Sequence, residues 1–321
     1  MKPFDPRPYI STFDYAALAM REYIDAALVG KKAGIPSYLG ALDKYVTPLT
    51  KGEIGCIIGR PSAGKTLLLT NMARLHAEHT GGVALIVSNE VPLHAMELLL
   101  LSMFSQVPVV RIREGDYRKF EYDLLIAGCT KREEHGVIVI GQNEHTDDVL
   151  EPLTVERVIE CVKYIQNELH VKITWIGQDY LQCMPPVRFR GDSKRLEVND
   201  SLAGLRALAR YVGCPLWTTV QAVREVDKYA PYIPTEKDGM ETSGIEHAAE
   251  ILLGIMKPTK YWEVGNTFKV CEKGQERKVR DDLMVVRVNK QRYGPAPAYA
   301  YLQALWAKSL IGDFTEGEYE R

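Results

Sequence analysis

Two hydrophobic rhythms alternate along this chain. Short apolar runs rich in β-branched residues recur at Ile54 to Ile58, Val83 to Val87, Val137 to Ile140, Val171 to Ile176, Pro215 to Val220, Ile251 to Met256 and Leu283 to Val288. Runs of this length, with few polar interruptions, read as strands buried in a sheet. Between them, Thr66 to His79, Leu93 to Phe104, Thr154 to Leu169 and Asp200 to Val212 place apolar residues at helical spacing. Strands that alternate with helices predict an α/β fold: a mostly parallel central sheet flanked by helices.

The N-terminal segment follows a different pattern. Residues 1–10 are rich in proline, and then Phe13, Ala16, Ala17, Met20, Ile24, Ala27 and Leu28 recur at helical spacing behind Ser11 or Thr12 as a cap. The helix ends near Gly30, and Lys31-Lys32-Ala33-Gly34 reads as a linker. Its apolar stripe needs a partner surface, either its own core or a neighbouring subunit. The expected division is therefore an arm and linker helix at 1–33, a catalytic domain at 34–310 and a polar tail at 311–321. Within the domain, the charged stretch from Glu272 to Lys278 predicts an exposed hairpin or mobile loop, with disorder near 272–280.

Composition narrows the classes. With 321 residues, 46% hydrophobic and 26% charged, the chain is long and apolar enough for a full globular core. A net charge of −2 removes any case for a generally basic nucleic-acid binder, so contact with a polyanion would have to come from local loops. Six cysteines without C-x-x-C spacing fit reduced thiols and a cytoplasmic setting. The N-terminus has no apolar signal core and no run of eighteen apolar residues occurs, so neither secretion nor a membrane span is predicted.

Candidate chemistry begins at Gly59-Arg60-Pro61-Ser62-Ala63-Gly64-Lys65-Thr66, which fits the phosphate-loop pattern G-x-x-x-x-G-K-[ST] between a predicted strand and a predicted helix. There, backbone N–H groups and a helix N-terminus converge on phosphate. Gly59 and Gly64 permit close backbone approach, Lys65 brings an ammonium to the β- and γ-phosphates, and Thr66 offers a hydroxyl to Mg²⁺. Glu90, after the second strand, has two readings. It is a catalytic carboxylate that orients and deprotonates the attacking water, or an acid capping the helix that Pro92 introduces. Arg188, Phe189, Arg190, Lys194 and Arg195 form a basic loop with an interleaved aromatic. That composition suits a single-strand backbone groove and equally a solvated loop.

From Gly34 onward these motifs resemble one family, the C-terminal motor domain of DnaB-type replicative helicases within the RecA-like ATPases. The resemblance rests on Gly34-Ile35-Pro36, Leu42-Asp43, Gly52-Glu53, the loop Arg60-Pro61-Ser62-Ala63-Gly64-Lys65-Thr66 and Ser88-Asn89-Glu90-Val91-Pro92. It continues through Asp179-Tyr180-Leu181-Gln182, Gln221, the run from Gly239 to Ala249, and Asn289-Lys290-Gln291-Arg292-Tyr293-Gly294-Pro295. It implies a RecA-like P-loop NTPase core that uses ATP and Mg²⁺, with Glu90 as base, Asp179 joining Thr66 in the metal shell and Gln221 sensing the γ-phosphate. Lys290 and Arg292 would reach across a subunit boundary, Arg292 as the finger. Arg188, Arg190, Lys194 and Arg195 would face a central channel, and Thr242, Ser243 and Gly244 would line it from a second loop. Two departures stand out. Met240 replaces a basic residue of that second loop, and Gly177-Gln178 replaces an apolar approach to Asp179, which predicts a strand that ends early.

The implied activity is that of an ATP-dependent hexameric DNA helicase moving 5′ to 3′ on single-stranded DNA, with a loader or primase as further partner. Only about 50 residues precede the phosphate loop, so the chain looks like a stand-alone motor without the family's helical N-terminal domain. A RecA-like recombination or repair ATPase, and a regulatory or loading ATPase without unwinding activity, share the phosphate loop and stay open as alternatives.

Overall fold

The computed structural model describes residues 13–142, 152–186, 193–239, 244–271 and 274–315. Its helices are α1 (Phe13–Leu28), α2 (Gly40–Asp43), α3 (Lys65–Thr80), α4 (Leu93–Ser105), α5 (Val109–Glu114), α6 (Lys119–Glu134), α7 (Val155–Asn167), α8 (Lys194–Val212) and α9 (Ile245–Ala248). Its strands are β1 (Ile54–Gly59), β2 (Val83–Ser88), β3 (Val137–Gly141), β4 (Ile173–Asp179), β5 (Leu216–Gln221), β6 (Ile251–Met256), β7 (Thr267–Phe268), β8 (Arg277–Lys278), β9 (Leu283–Gln291), β10 (Ala298–Leu305) and β11 (Leu310–Gly312).

Among the described residues, nine strands join one sheet in the order β11-β10-β9-β6-β1-β5-β4-β2-β3. The six from β6 to β3 run parallel, and β9, β10 and β11 extend the β6 edge in antiparallel fashion. β1 lies between β5 and β6 and is buried throughout. Its side chains alternate between two cores. Ile57 joins Leu68, Leu69 and Met72 of α3, while Cys56 and Ile58 join Val158 of α7 and Leu205 of α8. Burial on both faces explains why this strand is an unbroken apolar run.

Several boundaries differ from the sequence expectation for visible reasons. β4 does not end before Asp179. Gln178 is fully buried inside it, but its amide is satisfied: Thr218 Oγ1 donates to its Oε1 at 2.5 Å and its Nε2 donates to Asn89 Oδ1 at 3.1 Å. A buried amide with both ends bonded is tolerated in a strand interior. Gly177 is equally specific, because a Cβ there would lie 2.7 Å from the Trp175 ring and 3.1 Å from Leu69. α8 begins at Lys194, so Lys194 and Arg195 belong to its first turn instead of a preceding loop. The stretch 107–136, which carries no clear rhythm, forms α5 and α6, and the charged segment after 272 contributes β8 to a hairpin with β7.

The expected polar tail is partly structural. β11 reaches Gly312, and the Asp313 carboxylate accepts the N–H groups of Gly40 at 2.6 Å and Ala41 at 2.8 Å. No described helix is long and apolar enough to cross a membrane. Gly177→Ala should lower the unfolding free energy by about 1–3 kcal/mol through overpacking against Trp175. Urea denaturation followed by circular dichroism measures this, and an unchanged midpoint would refute the contact argument.

Candidate active site

In a parallel sheet the C-terminal ends of all strands open on one side, and residues just beyond them share a crevice. Here β1 leads into the phosphate loop, β2 into Asn89 and Glu90, β4 ends on Asp179, and β5 ends on Gln221. The loop itself is shaped by backbone conformation. Ser62 has φ 63° and Gly64 φ 97°, and a Cβ at Gly64 would lie 2.6 Å from Met284 and 2.7 Å from the Trp306 ring. Glycine is therefore required where the loop turns into α3. Pro61, Ser62, Gly64, Lys65 and Thr66 line one cleft of about 400 Å³ with Glu90, Gln221 and Trp306. Ala63 is buried beneath it.

Asp179 lies under the loop, fully buried. Thr66 Oγ1 donates to its Oδ2 at 2.5 Å, and Thr219 Oγ1 donates to its Oδ1. Two hydroxyls thus satisfy a carboxylate that would otherwise be costly to bury. The pairing places Thr66 and Asp179 side by side, an oxygen donor set that suits Mg²⁺ beside a triphosphate.

The charges in the cleft are coupled. Burial lowers the Lys65 ammonium below its ordinary pKa, against the pull of the Asp179 and Glu90 carboxylates. Partial burial raises the Glu90 carboxyl above its ordinary value, Asp179 adds repulsion, and Lys65 opposes both. Lys65 Nζ donates to the Arg60 carbonyl at 3.5 Å. The Glu90 turn is anchored, since Asn89 N–H donates to the Asp179 carbonyl at 2.7 Å and Asn89 Nδ2 to the Leu153 carbonyl at 3.0 Å.

Arg60 behaves differently from its neighbours in the motif. Its Nε and Nη2 each lie 2.8 Å from Asp227 Oδ2, and its Nη1 donates to the Ala222 carbonyl at 2.9 Å. The side chain therefore ties the loop to the segment after β5, and only its backbone belongs to the phosphate cradle. Gln221 is held from the other side: its N–H donates to Gln182 Oε1, and Gln182 Nε2 donates to its carbonyl, both at 3.2 Å.

Lys290 and Arg292 are not part of this cluster. The register runs Gly59 to Ile255 on β6 and Ile251 to Gln291 on β9, so the two cations lie at the opposite end of the sheet, roughly 13 Å away at 3.3 Å per residue. Lys290 Nζ donates to the Glu246 and Ala249 carbonyls, and Arg292 Nη2 lies 3.8 Å from Glu250. Lys194 is 3.8 Å from Glu197, and Arg195 is exposed. Gly244 immediately precedes α9. Arg188, Arg190, Thr242 and Ser243 lie outside the described residues. A larger cleft of about 540 Å³, lined by Tyr23, Lys31, Lys32, Glu53 and Tyr293, contains no residue of the phosphate loop and not Glu90.

Thr219 and Gln178 are site residues to which the sequence assigned no role; so are Gln182, quoted only as part of the Asp179–Gln182 motif, and Trp306. Trp306 borders the cleft while its Nε1 donates to the Asp281 carbonyl at 2.7 Å. The one available signal for the first two was a polar residue inside each otherwise apolar strand, Gln178 in β4 and the pair Thr218-Thr219 in β5.

A phosphate loop on a central parallel strand, with a carboxylate after β2 and an aspartate at the end of β4, defines a P-loop NTPase of the RecA-like class. The chain belongs to the DnaB-like helicase C-terminal domain family, which it matches over residues 34–305. It is 26% identical over 262 residues to the replicative DNA helicase DnaB of Buchnera aphidicola subsp. Schizaphis graminum, which spans 82% of this chain and 52% of that protein. It is 23% identical over 266 residues to DnaB of Geobacillus stearothermophilus, covering 83% and 54%. The chain thus spans about half the length of these curated relatives. Among solved structures, the ATPase domain of G40P superposes with a TM-score of 0.79 at 18% identity, covering 95% of this chain and 99% of that one. A DnaB-like replicative helicase, described with its interactions with primase, gives 0.76 at 17% identity, covering 95% and 67%.

Thr219→Val keeps the side-chain volume and removes a donor to a buried carboxylate, which should cost about 1–3 kcal/mol of stability at neutral pH. Thr219→Ser should recover most of it. Equal urea midpoints for the valine and native proteins would show that Asp179 does not depend on this bond.

Proposed function

We propose that this chain is an ATP-driven motor that works on single-stranded DNA as a ring of identical subunits, with travel 5′ to 3′. One observation carries the reading. The phosphate-binding and carboxylate groups gather at one end of the sheet, while the two cations of the Asn289–Pro295 motif lie at the other, beyond reach of the same nucleotide. Lys290 and Arg292 then serve the ATP held by an adjacent subunit, and each boundary completes one site.

In this scheme Lys65 and the loop N–H groups hold the triphosphate, Glu90 orients the attacking water and accepts its proton, and Gln221 senses the γ-phosphate. Mg²⁺ held at Thr66 and Asp179 would neutralise phosphate charge. Arg292 of the neighbour stabilises charge on the transferring group, a contribution worth about 10³ to 10⁵ in rate. Family membership favours unwinding over strand exchange or loading alone. The N-terminal helix supports the assembly: Met20, Ile24 and Leu28, spaced four apart, are all exposed on α1. A neighbouring subunit is the proposed cover.

Measuring ATP turnover with and without single-stranded DNA, beside fork unwinding, tests the activity. Stimulated turnover with strand displacement is expected; turnover indifferent to DNA and no displacement would favour a loading ATPase. Glu90→Gln should bind ATP and hydrolyse it poorly. Because the Glu90 pKa is raised, the carboxylate form disappears at a higher pH than for an ordinary glutamate, so the acid limb of turnover should be displaced upward. Near-normal turnover in Glu90→Gln would move the base elsewhere.

The assembly has its own test. Lys65→Ala and Arg292→Ala subunits should each be nearly inactive alone, yet mixed rings should recover hydrolysis where an intact loop meets an intact finger. No recovery in rings shown to exchange subunits would count against a trans role for Arg292.

A further inference from the structure

Glu250 sits between α9 and β6 with its side chain only 5% exposed. A carboxylate taken that far from water must be paired and hydrogen-bonded. Its two oxygens are used separately. Oε2 accepts the Ile54 N–H, the first of β1, at 2.8 Å. Oε1 accepts from Arg206 Nη2 of α8 at 2.5 Å and lies 3.8 Å from Arg292 Nη2. The backbone repeats the connection, since Glu250 N–H donates to the Ile54 carbonyl at 2.9 Å and Arg292 N–H donates to the Glu250 carbonyl at 3.0 Å.

One carboxylate oxygen therefore faces two guanidinium groups from different elements. Arg206 belongs to α8, whose first turn carries Lys194 and Arg195. Arg292 closes the β9 end and is about half exposed, with its side chain 48% accessible. The Arg206 grip is single: its buried Nε has no hydrogen-bond partner among the described residues. Arg292 is held more loosely still, by one ion-pair contact at 3.8 Å and its backbone. An exposed arginine on a flexible stem samples many rotamers unless something fixes it, and each freed rotamer dilutes the productive one.

We propose that Glu250 is the positioning residue for Arg292, holding its guanidinium at the subunit boundary, and that Arg206, which shares the same oxygen, links that hold to α8. The inference rests on the reading that Arg292 acts on the neighbour's nucleotide. It differs from a plain structural role, in which Glu250 would only anchor the start of β1 and so support its own subunit's phosphate loop.

Subunit mixing separates the two, because each role damages a different half of a boundary. Glu250→Gln alone should lower kcat roughly tenfold while the KM for ATP stays within about twofold. Mixed with Lys65→Ala subunits, it should recover turnover; mixed with Arg292→Ala subunits, it should not. Glu250→Asp, which keeps the charge, should restore part of kcat. Arg206→Gln changes a partly exposed side chain outside the Ile54 contact and should sort in the same way, so it decides the matter if Glu250→Gln does not fold. Recovery with Arg292→Ala and none with Lys65→Ala would overturn the proposal in favour of the β1 anchor. Unchanged kcat in both variants would overturn it too. If Lys65→Ala and Arg292→Ala fail to complement each other, the trans reading itself falls and this inference falls with it. If they complement and Glu250→Gln sorts with Lys65→Ala, only the inference falls.

Discussion

A buried carboxylate tolerates little freedom in its surroundings, and Asp179 imposes that condition on the centre of this fold. With its side chain out of water, both oxygens need donors, and they come from α3 through Thr66 and from β5 through Thr219. Three elements are thereby brought into register at one point: the helix that follows the phosphate loop, the strand that ends on the aspartate, and the strand that leads to Gln221. The apolar cores on the two faces of the sheet supply most of the stability, but they do not choose this register. Hydrophobic contact is non-directional, whereas a hydroxyl must point at its acceptor.

Around Asp179 the same logic extends sideways. Gln178 joins Thr218 on one side to Asn89 on the other, a polar line that crosses β5, β4 and the exit of β2 inside an otherwise apolar sheet. Gln182 grips the backbone of Gln221, and Arg60 joins the phosphate loop to Ala222, the next residue. Displacement at the phosphate loop is thus mechanically connected to the segment after β5, and Ala222 in turn bridges to Gly239. In the proposed motor this is a short physical route from nucleotide to Gly239.

Local chemistry was legible in the sequence, and long-range chemistry was not. The phosphate loop and the alternation of strands and helices follow from spacing within a dozen residues, where the rules of turns and periodicity apply directly, whereas Glu90 reads from spacing equally as a helix-cap acid and is singled out only by the family resemblance. Gln178 reads from sequence as a disruption because its partners, Thr218 and Asn89, come from other strands. Arg60 reads as a phosphate-loop residue because the motif includes it, while its side-chain partner Asp227 is far along the chain. The early start of α8 is marked in the sequence only by Ser193, a residue type favoured before helices, and that serine makes no side-chain cap. β10 and β11 carry a weaker sequence signal: β10 mixes Tyr and Gln with apolar residues and is only alternately buried, and β11 is three residues long.

The position of β1 also sets a timetable. It is the first strand among the described residues, yet its neighbours in the sheet are β5 and β6, so Ile54 must wait for Leu216 and Gly55 for Ile251. At ribosomal speeds of roughly 5–20 residues per second, the first of these partners emerges about 8–30 s later. During that interval a fully apolar strand has neither edge paired, the condition under which nascent chains associate with one another. The strand that carries the phosphate loop is therefore the segment that most needs shelter during synthesis, whether from the ribosome or from a chaperone.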